Sequence, residues 1–384
     1  MKFITKLIVR AFISVVSIVF LIVIAELILY LIFPGIKPPS RVFFNPFATE
    51  ENRDIHVREA FVSNYYLEDP ELFWRLNPDK GGGEITREGF RAERLYGKKK
   101  ESTYRILAIG DSCTYGVGAD GIEASYPGQL EKILNRDTDK NRVEVINAGV
   151  PGYASLQGLR YLKRILPRYT PDLVIVQFLH NDGVVWLNRR DSKVVIPSEL
   201  VRSVQSVLRQ WRLYELLRRG SLSLKRYMLR NTSSGSDMPY RVPPEEYKEN
   251  LIEMVRLVKG EGGAVLLVVP PALPPYRFRP DFTDYQAATI AAARETGAPV
   301  LDLTENFDNI DNVRSLYWKP DEEDLAHLNA EGYALQAKIV AGRVKEIMGK
   351  GSTWIRRRRS ECALDRIVSP FQVFSSNLSN RFAS

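Results

Sequence analysis

Between Tyr104 and Met348 the chain alternates short apolar runs with longer segments whose apolar residues recur every three or four positions. The runs Tyr104–Ile109, Val143–Ile146, Leu173–Leu179, Ala264–Val269 and Val300–Leu303 predict short buried strands. Tyr126–Leu134, Leu156–Leu166 and Tyr247–Val258 carry helical spacing, and in the third Tyr247, Leu251, Met254, Val255 and Val258 share one face. Asn329 is the expected N-cap of a last helix to Met348, buried through Tyr333, Val340, Val344 and Ile347. Strand–helix–strand repeated in this way predicts an α/β fold, with a parallel sheet covered on both faces. No internal repeat of fixed period is present.

The pattern changes at both ends and once in the middle. Residues 11–33 form an almost unbroken apolar run with one charge, Glu26. As a helix this run is about 35 Å long, enough to cross a bilayer core. A cleaved signal peptide carries an apolar region of only about 7–15 residues, and this stretch ends in Phe33-Pro34-Gly35. It is therefore read as an uncleaved transmembrane anchor. Lys2, Lys6 and Arg10 precede it and only Lys37 and Arg41 follow before Glu50 and Glu51. Positive-inside bias leaves residues 1–10 in the cytoplasm and the body periplasmic or extracellular.

Residues 34–103, with Gly81-Gly82-Gly83 and no long periodic helix, read as a stalk and irregular lead-in. The domain is expected over residues 104–348, interrupted at 184–243 by a basic helical insert ending in the loop-like "NTSSGSDMPYRVPP". Within the insert Val201, Val204, Val207, Leu208, Trp211, Tyr214 and Leu217 fall on one face, among Arg202, Arg209, Arg212 and Arg219. That stretch suits a helix with a solvated side, a lid over an acyl pocket, or a surface for anionic lipid or glycan. Residues 349–384, including Arg356 to Arg359, lack apolar periodicity and read as a flexible basic tail.

At 384 residues the chain can hold one large core with additions or two modest domains. The net charge of +8 is concentrated. Residues 184–230 hold eleven Lys and Arg against three acidic residues, and the tail from Lys350 holds seven against two. The remainder is mildly acidic, so no nucleic-acid partner is expected. Two cysteines, Cys113 and Cys362, make neither a disulfide framework nor a thiolate zinc site.

Parallel sheets bind ligands beyond the C-terminal ends of their strands, which selects the candidate chemistry. The first strand ends in Gly110-Asp111-Ser112, the second runs into "INAGVPGYAS", the third ends in "FLHNDG", and near the C-terminus comes "DLAHLNAEGY". A serine hydroxyl needs an imidazole to accept its proton, the imidazole needs a carboxylate to hold it, and a tetrahedral intermediate needs preorganised donors. Ser112, His327 and Asp324 fit the first three roles. The main-chain N–H groups of Ser112 and Gly149 and the side-chain amide of Asn181 fit the last. The glycines after Ser112, at 116 and 118, are expected to leave room for an acyl group. Of the three histidines, His56 lies in the lead-in and His180 is read as structural.

These blocks resemble the SGNH hydrolases, also called GDSL-type esterases and lipases. "GDSCTYG" matches the first block, Gly149 the glycine of the second, Asn181 the asparagine of the third, and Asp324 with His327 the D-x-x-H of the last. Position 179 is Leu where the third block usually has Gly, and Cys113 replaces a larger residue. The resemblance implies a three-layer α/β/α, flavodoxin-like fold behind one transmembrane helix. It implies catalytic Ser112, Asp324 and His327, with an oxyanion hole from Ser112, Gly149 and Asn181. No metal or organic cofactor is expected. The expected activity is hydrolysis of an O-acyl ester through an acyl-enzyme, the partner being an acylated glycan, lipid or small ester. Transfer of the acyl group to a sugar hydroxyl, and a catalytically silent envelope-assembly subunit, are the rival readings.

Overall fold

The computed structural model describes residues 2–32, 65–79, 82–136, 142–184, 190–194, 199–208, 211–214, 216–217, 220–221, 224 and 240–368, with side chains of the last helix described to Gly349. His56, most of the stalk and the loop 225–239 lie outside the described residues, as do Arg209, Arg218 and Arg219. The chain divides into two compact units, residues 1–80 with 183–243, and residues 81–182 with 244–384.

The second unit carries the alternating pattern. Its strands are β1 (Thr103–Gly110), β2 (Arg142–Gly149), β3 (Leu173–Gln177), β4 (Ala264–Val269) and β5 (Val300–Asp302). All pair in parallel in the order β2-β1-β3-β4-β5. This is the doubly wound order in which the connections reverse direction between the first and third strands, opening a crevice at their C-terminal ends. Helices α1 (Tyr126–Asn135), α2 (Ser155–Tyr169), α3 (Pro244–Gly260), α4 (Pro280–Thr296) and α5 (Ala330–Val368) cover the sheet.

Side chains alternate across a strand, so one sequence feeds two cores. Ile106 and Ala108, Val143 and Val145, Leu173 and Ile175, and Leu266 and Val268 join one cluster with Tyr126, Leu130 and Leu134 of α1. Tyr333, Val340 and Val344 of α5 complete it. The intervening Leu107, Ile109, Val174, Val176 and Leu267 are equally buried. They supply the opposite face, where α2, α3 and α4 pack in succession.

The strands match their predicted positions within a residue or two, except that β2 runs three residues past its expected end at Ile146, to Gly149, and the three-layer architecture is present. Asn329 caps α5, its Oδ1 accepting from the N–H groups of Glu331 (3.1 Å) and Gly332 (3.0 Å). The helix runs on to Val368, past the expected end at Met348. Gly349 and Gly351 weaken a helix by roughly 1 kcal/mol each without breaking it, and the next proline is Pro370. α4 has no counterpart in the sequence reading, because after Phe282 and Tyr285 its buried face continues only through Ala288, Thr289, Ala292 and Ala293, which a hydrophobic pattern scarcely registers. Residues 82–103, read as lead-in, are irregular but packed: Phe90 is fully buried against Tyr96, Tyr161 and Tyr169.

In the first unit the helix Lys2–Ile32 contains an apolar stretch, Phe12–Ile32, long enough to cross a membrane, with mean hydropathy 3.0. Tyr66–Asp69 and Phe73–Leu76 pair as an antiparallel hairpin. The insert contains a helix, Glu199–Leu208, and a fully buried ion pair between Arg241 and Asp191 at 2.9 Å.

Candidate active site

β1 ends at Gly110 and the chain turns at once into a short helix, Ser112–Tyr115. Asp111 caps that helix, its Oδ1 accepting from the Cys113 N–H at 2.9 Å. Capping fixes the turn and leaves Ser112 at the sheet edge. The far end of the turn is held just as firmly. The Arg91 guanidinium donates to the carbonyls of Tyr115 (2.9 Å) and Gly116 (3.1 Å), and Asn147 Nδ2 donates to Tyr115 O at 3.1 Å.

His327 arrives from the loop before α5. Its main-chain N–H donates to Asp324 Oδ1 at 3.0 Å, and Asp324 Oδ2 lies 2.7 Å from His327 Nδ1. His327 Nε2 lies 2.7 Å from Ser112 Oγ. Residues 215 positions apart in sequence thus form one hydrogen-bonded line of carboxylate, imidazole and hydroxyl. Gly118 is part of the reason. At φ 89° its conformation suits glycine, and a Cβ there would lie 2.5 Å from the carbonyl of Leu328, next to His327. This corrects the expectation that the glycines after Ser112 make room for an acyl group: Gly118 makes room for the histidine loop.

Asn181 leaves the end of β3, across the switch point from Ser112. Its Nδ2 donates to Tyr153 O at 3.1 Å, and Asp111 Oδ2 lies 3.5 Å away. Its neighbour Asp182 anchors the loop, Oδ1 accepting from both N–H and Oγ–H of Ser155 at 2.9 and 2.6 Å. Asn250 donates in turn to Ser155 Oγ at 3.0 Å. Arg91, Ser155 and Asn250 carry no motif; Ser155 at the start of a helix beside an Asn-Asp strand end is the one faint signal in sequence.

Gly149, expected to offer its N–H to an oxyanion, already has a partner for it. Its N–H donates to Asn147 Oδ1 at 3.0 Å, so that donor is occupied inside β2. A Cβ at Gly149 would lie 2.2 Å from the Tyr115 nitrogen, so glycine is needed for the Ser112 helix to sit on the strand. The next glycine, Gly152, has φ 82° and lies in the turn whose Tyr153 carbonyl holds Asn181.

The charges separate sharply over a short distance. Burial works to raise Asp324, but its bonds to His327 outweigh that and hold it at about 2. Asp111, fully enclosed, is pushed up to about 6 by burial, against the opposing Cys113 N–H bond and the charge at His327. Burial, then the carboxylates Asp111 and Asp324, push the Cys113 thiol well above its ordinary value, and its Sγ faces the Ala326 carbonyl at 3.8 Å. Burial also takes His180 down to about 3, keeping it neutral, with Nδ1 3.0 Å from the Tyr276 hydroxyl. Among the described residues no cluster of His, Cys, Asp and Glu is arranged to hold a metal ion.

The model of the GDSL-like lipase/acylhydrolase family matches residues 108–229 and 232–335. An arylesterase of Vibrio mimicus is 34% identical over 85 residues, which is 22% of this chain and 40% of that protein. The match thus spans less than half of the arylesterase's length. Among solved structures, the lipase/acylhydrolase from Enterococcus faecalis shares 19% identity at a TM-score of 0.43, over 63% of this chain and 95% of its own. The psychrotrophic esterase EstA from a Pseudoalteromonas species shares 17% at a TM-score of 0.40, over 64% and 99%.

Proposed function

Because the chain belongs to the GDSL-like lipase/acylhydrolase family, we propose that it is a membrane-anchored serine esterase that cleaves an O-acyl ester through an acyl-enzyme. The observation that carries this reading is the line from Asp324 through His327 to Ser112, with both contacts at 2.7 Å. Ser112 Oγ attacks the ester carbonyl as His327 Nε2 takes its proton. Asp324, held ionised, keeps Nδ1–H in place and stabilises the imidazolium. The carbonyl oxygen becomes an oxyanion received by the Ser112 N–H and by the Nδ2–H of Asn181 that faces Asp111 Oδ2 at a long 3.5 Å and exchanges that contact for the oxyanion, while the other Nδ2–H stays anchored on Tyr153 O. With the Gly149 N–H engaged, we assign the remaining main-chain contribution to the turn at Gly152. Collapse returns the proton from Nε2 to the leaving alcohol, and water repeats the cycle on the acyl-enzyme.

Lys2, Lys6 and Arg10 before the apolar helix support a body outside the cytoplasm and an N-terminus inside. The substrate is an acylated glycan, lipid or small ester. Turnover of p-nitrophenyl esters of increasing chain length by the detergent-solubilised chain tests the reading. A defined chain-length optimum lost with Ser112→Ala supports it, and no turnover of any ester contradicts it. Repeating the assay with a sugar acceptor separates hydrolysis, which frees the acid, from acyl transfer, which consumes it.

A further inference from the structure

Glu26 is the single charge inside the apolar span, and the structure gives it a partner. Its two carboxylate oxygens accept from the main-chain N–H groups of Arg212 (2.7 Å) and Leu213 (2.9 Å), in the insert. There the chain turns helical again, over Arg212–Tyr214, and the Glu26 carboxylate satisfies two of its main-chain N–H groups. The Arg212 guanidinium lies 4.4 Å from the centre of the Tyr30 ring, one helical turn further along the same anchor. Three contacts therefore hold one short piece of the insert against one face of the anchor helix.

Their depth matters. Glu26 is six residues from Ile32, the end of the apolar span, which is about 9 Å of helix. In-plane amphipathic helices settle about 5–10 Å into the boundary of headgroups and acyl chains. The segment docked on Glu26 sits at that level. The insert also leaves apolar side chains uncovered: Val201, Val204, Val207, Leu208 and Leu217 are all exposed. The sequence interleaves them with Arg202, Arg209, Arg218 and Arg219, the composition of an interfacial helix on an anionic surface.

We propose that the insert, through its described residues 199–208, 211–214 and 216–217, is an in-plane membrane element, clamped to the anchor through the Glu26 carboxylate, so that the chain holds the bilayer by two segments. The exposed valines and leucines enter the lipid, and the basic composition of the insert favours an anionic surface. This rests on the anchoring reading and is independent of the chemistry at Ser112. It also gives Glu26 a reason to be there, since an ionisable group inside a span is retained where a partner needs it.

The test is a depth measurement on the full chain in vesicles of phosphatidylcholine and phosphatidylglycerol. Spin labels are placed singly at Val204→Cys, Leu217→Cys, Val19→Cys in the anchor and Lys98→Cys in the body, with Cys362→Ser. Labels at 204 and 217 should relax with oxygen in preference to a nickel chelate, as the label at 19 does, and the label at 98 should do the reverse. Glu26→Ala should turn the label at 217 towards the nickel chelate and speed tryptic cleavage after Arg209 and Arg212 roughly tenfold, the loss expected when a charged acceptor is removed. Glu26→Gln, which keeps one carbonyl acceptor, should fall between. Thermal unfolding of the α/β body should not move. Labels at 204 and 217 resembling the label at 98 would overturn the proposal while leaving the anchor intact. A water-exposed label at 19 would overturn the anchor and the proposal together. Embedded labels indifferent to Glu26→Ala would overturn the clamp.

Discussion

The loops after Asp324 and after β3 each bring a histidine to the same end of the sheet, and their surroundings make opposite use of it. His327 keeps 23% of its side chain exposed and is braced by a carboxylate 2.7 Å from Nδ1. His180 is enclosed, faces a tyrosine hydroxyl and aromatic rings, and is held neutral by burial. The two carboxylates divide in the same way: hydrogen bonds keep Asp324 ionised, whereas burial alone raises Asp111. A residue type becomes usable as a base or an anion through the partner opposite it. Proximity to the site is not enough.

Exchanging the two histidines' fates would break this contrast. His327→Ala should lower kcat by roughly 10⁴–10⁶-fold, and Ser112→Ala by a similar factor, because members of such a unit fail together. His180→Gln, which keeps a polar group near Tyr276, should cost less than about tenfold. Steady-state turnover of a short p-nitrophenyl ester measures all three. A His180 variant as damaged as the His327 variant would remove the distinction.

The oxyanion side sharpens it next. Asn181→Ala should reduce kcat by roughly 10²–10³-fold, the usual cost of one donor, with KM little changed. Gly149→Ala should instead fail at the level of folding, since its methyl would press on the Tyr115 nitrogen. A soluble, fully stable Gly149→Ala protein with lost turnover would restore Gly149 as a donor.

The two aspartates give stability profiles of opposite slope. Asp324 is held at about 2, below the ordinary value of about 3.9. The folded protein has therefore released a proton that the unfolded chain still holds. Its contribution is complete above about pH 4, is lost as the pH falls through about 2, and is on the order of 2 kcal/mol. Asp111, at about 6, binds a proton in the folded state that the unfolded chain has lost, so its part of the stability declines as pH rises from about 4 to about 6. Urea unfolding across that range should show Asp111→Asn removing the decline. Asp324→Asn should be destabilised at neutral pH, with the difference closing towards about pH 2. A pH-independent difference for either variant would contradict the corresponding assignment.

Much of this was legible beforehand, for identifiable reasons. The strands β1 to β4 are buried on both faces and so write themselves as apolar runs, while β5, at the sheet's edge, is half-buried and is read from its short apolar run alone. The meeting of Ser112 and Asn181 at one end of the sheet was legible because both follow strand ends, and that of Asp324 with His327 because a carboxylate three residues before a histidine stands ahead of a capped helix. The engaged N–H of Gly149 was not legible, because a glycine needed for close helix–strand contact and a glycine supplying an N–H look alike in sequence. The network of Asp182, Ser155 and Asn250 was hidden because its members come from three elements that only the fold brings together. Arg91 was hidden for the same cause: its partners at the Ser112 turn are carbonyls, which no sequence pattern marks.

The smallest effect expected is at Cys113, adjacent to the nucleophile in sequence and the better nucleophile by type. Its burial and raised thiol leave it unreactive, so Cys113→Ala should keep turnover within about twofold. The central claim, that Ser112 Oγ forms the covalent bond, is tested most directly by peptide mass mapping after treatment with a fluorophosphonate. The adduct should fall on Ser112 in the wild-type and Cys113→Ala proteins and be absent from Ser112→Ala and His327→Ala. An adduct retained in Ser112→Ala, or mapped to any other residue in the wild type, would contradict the account.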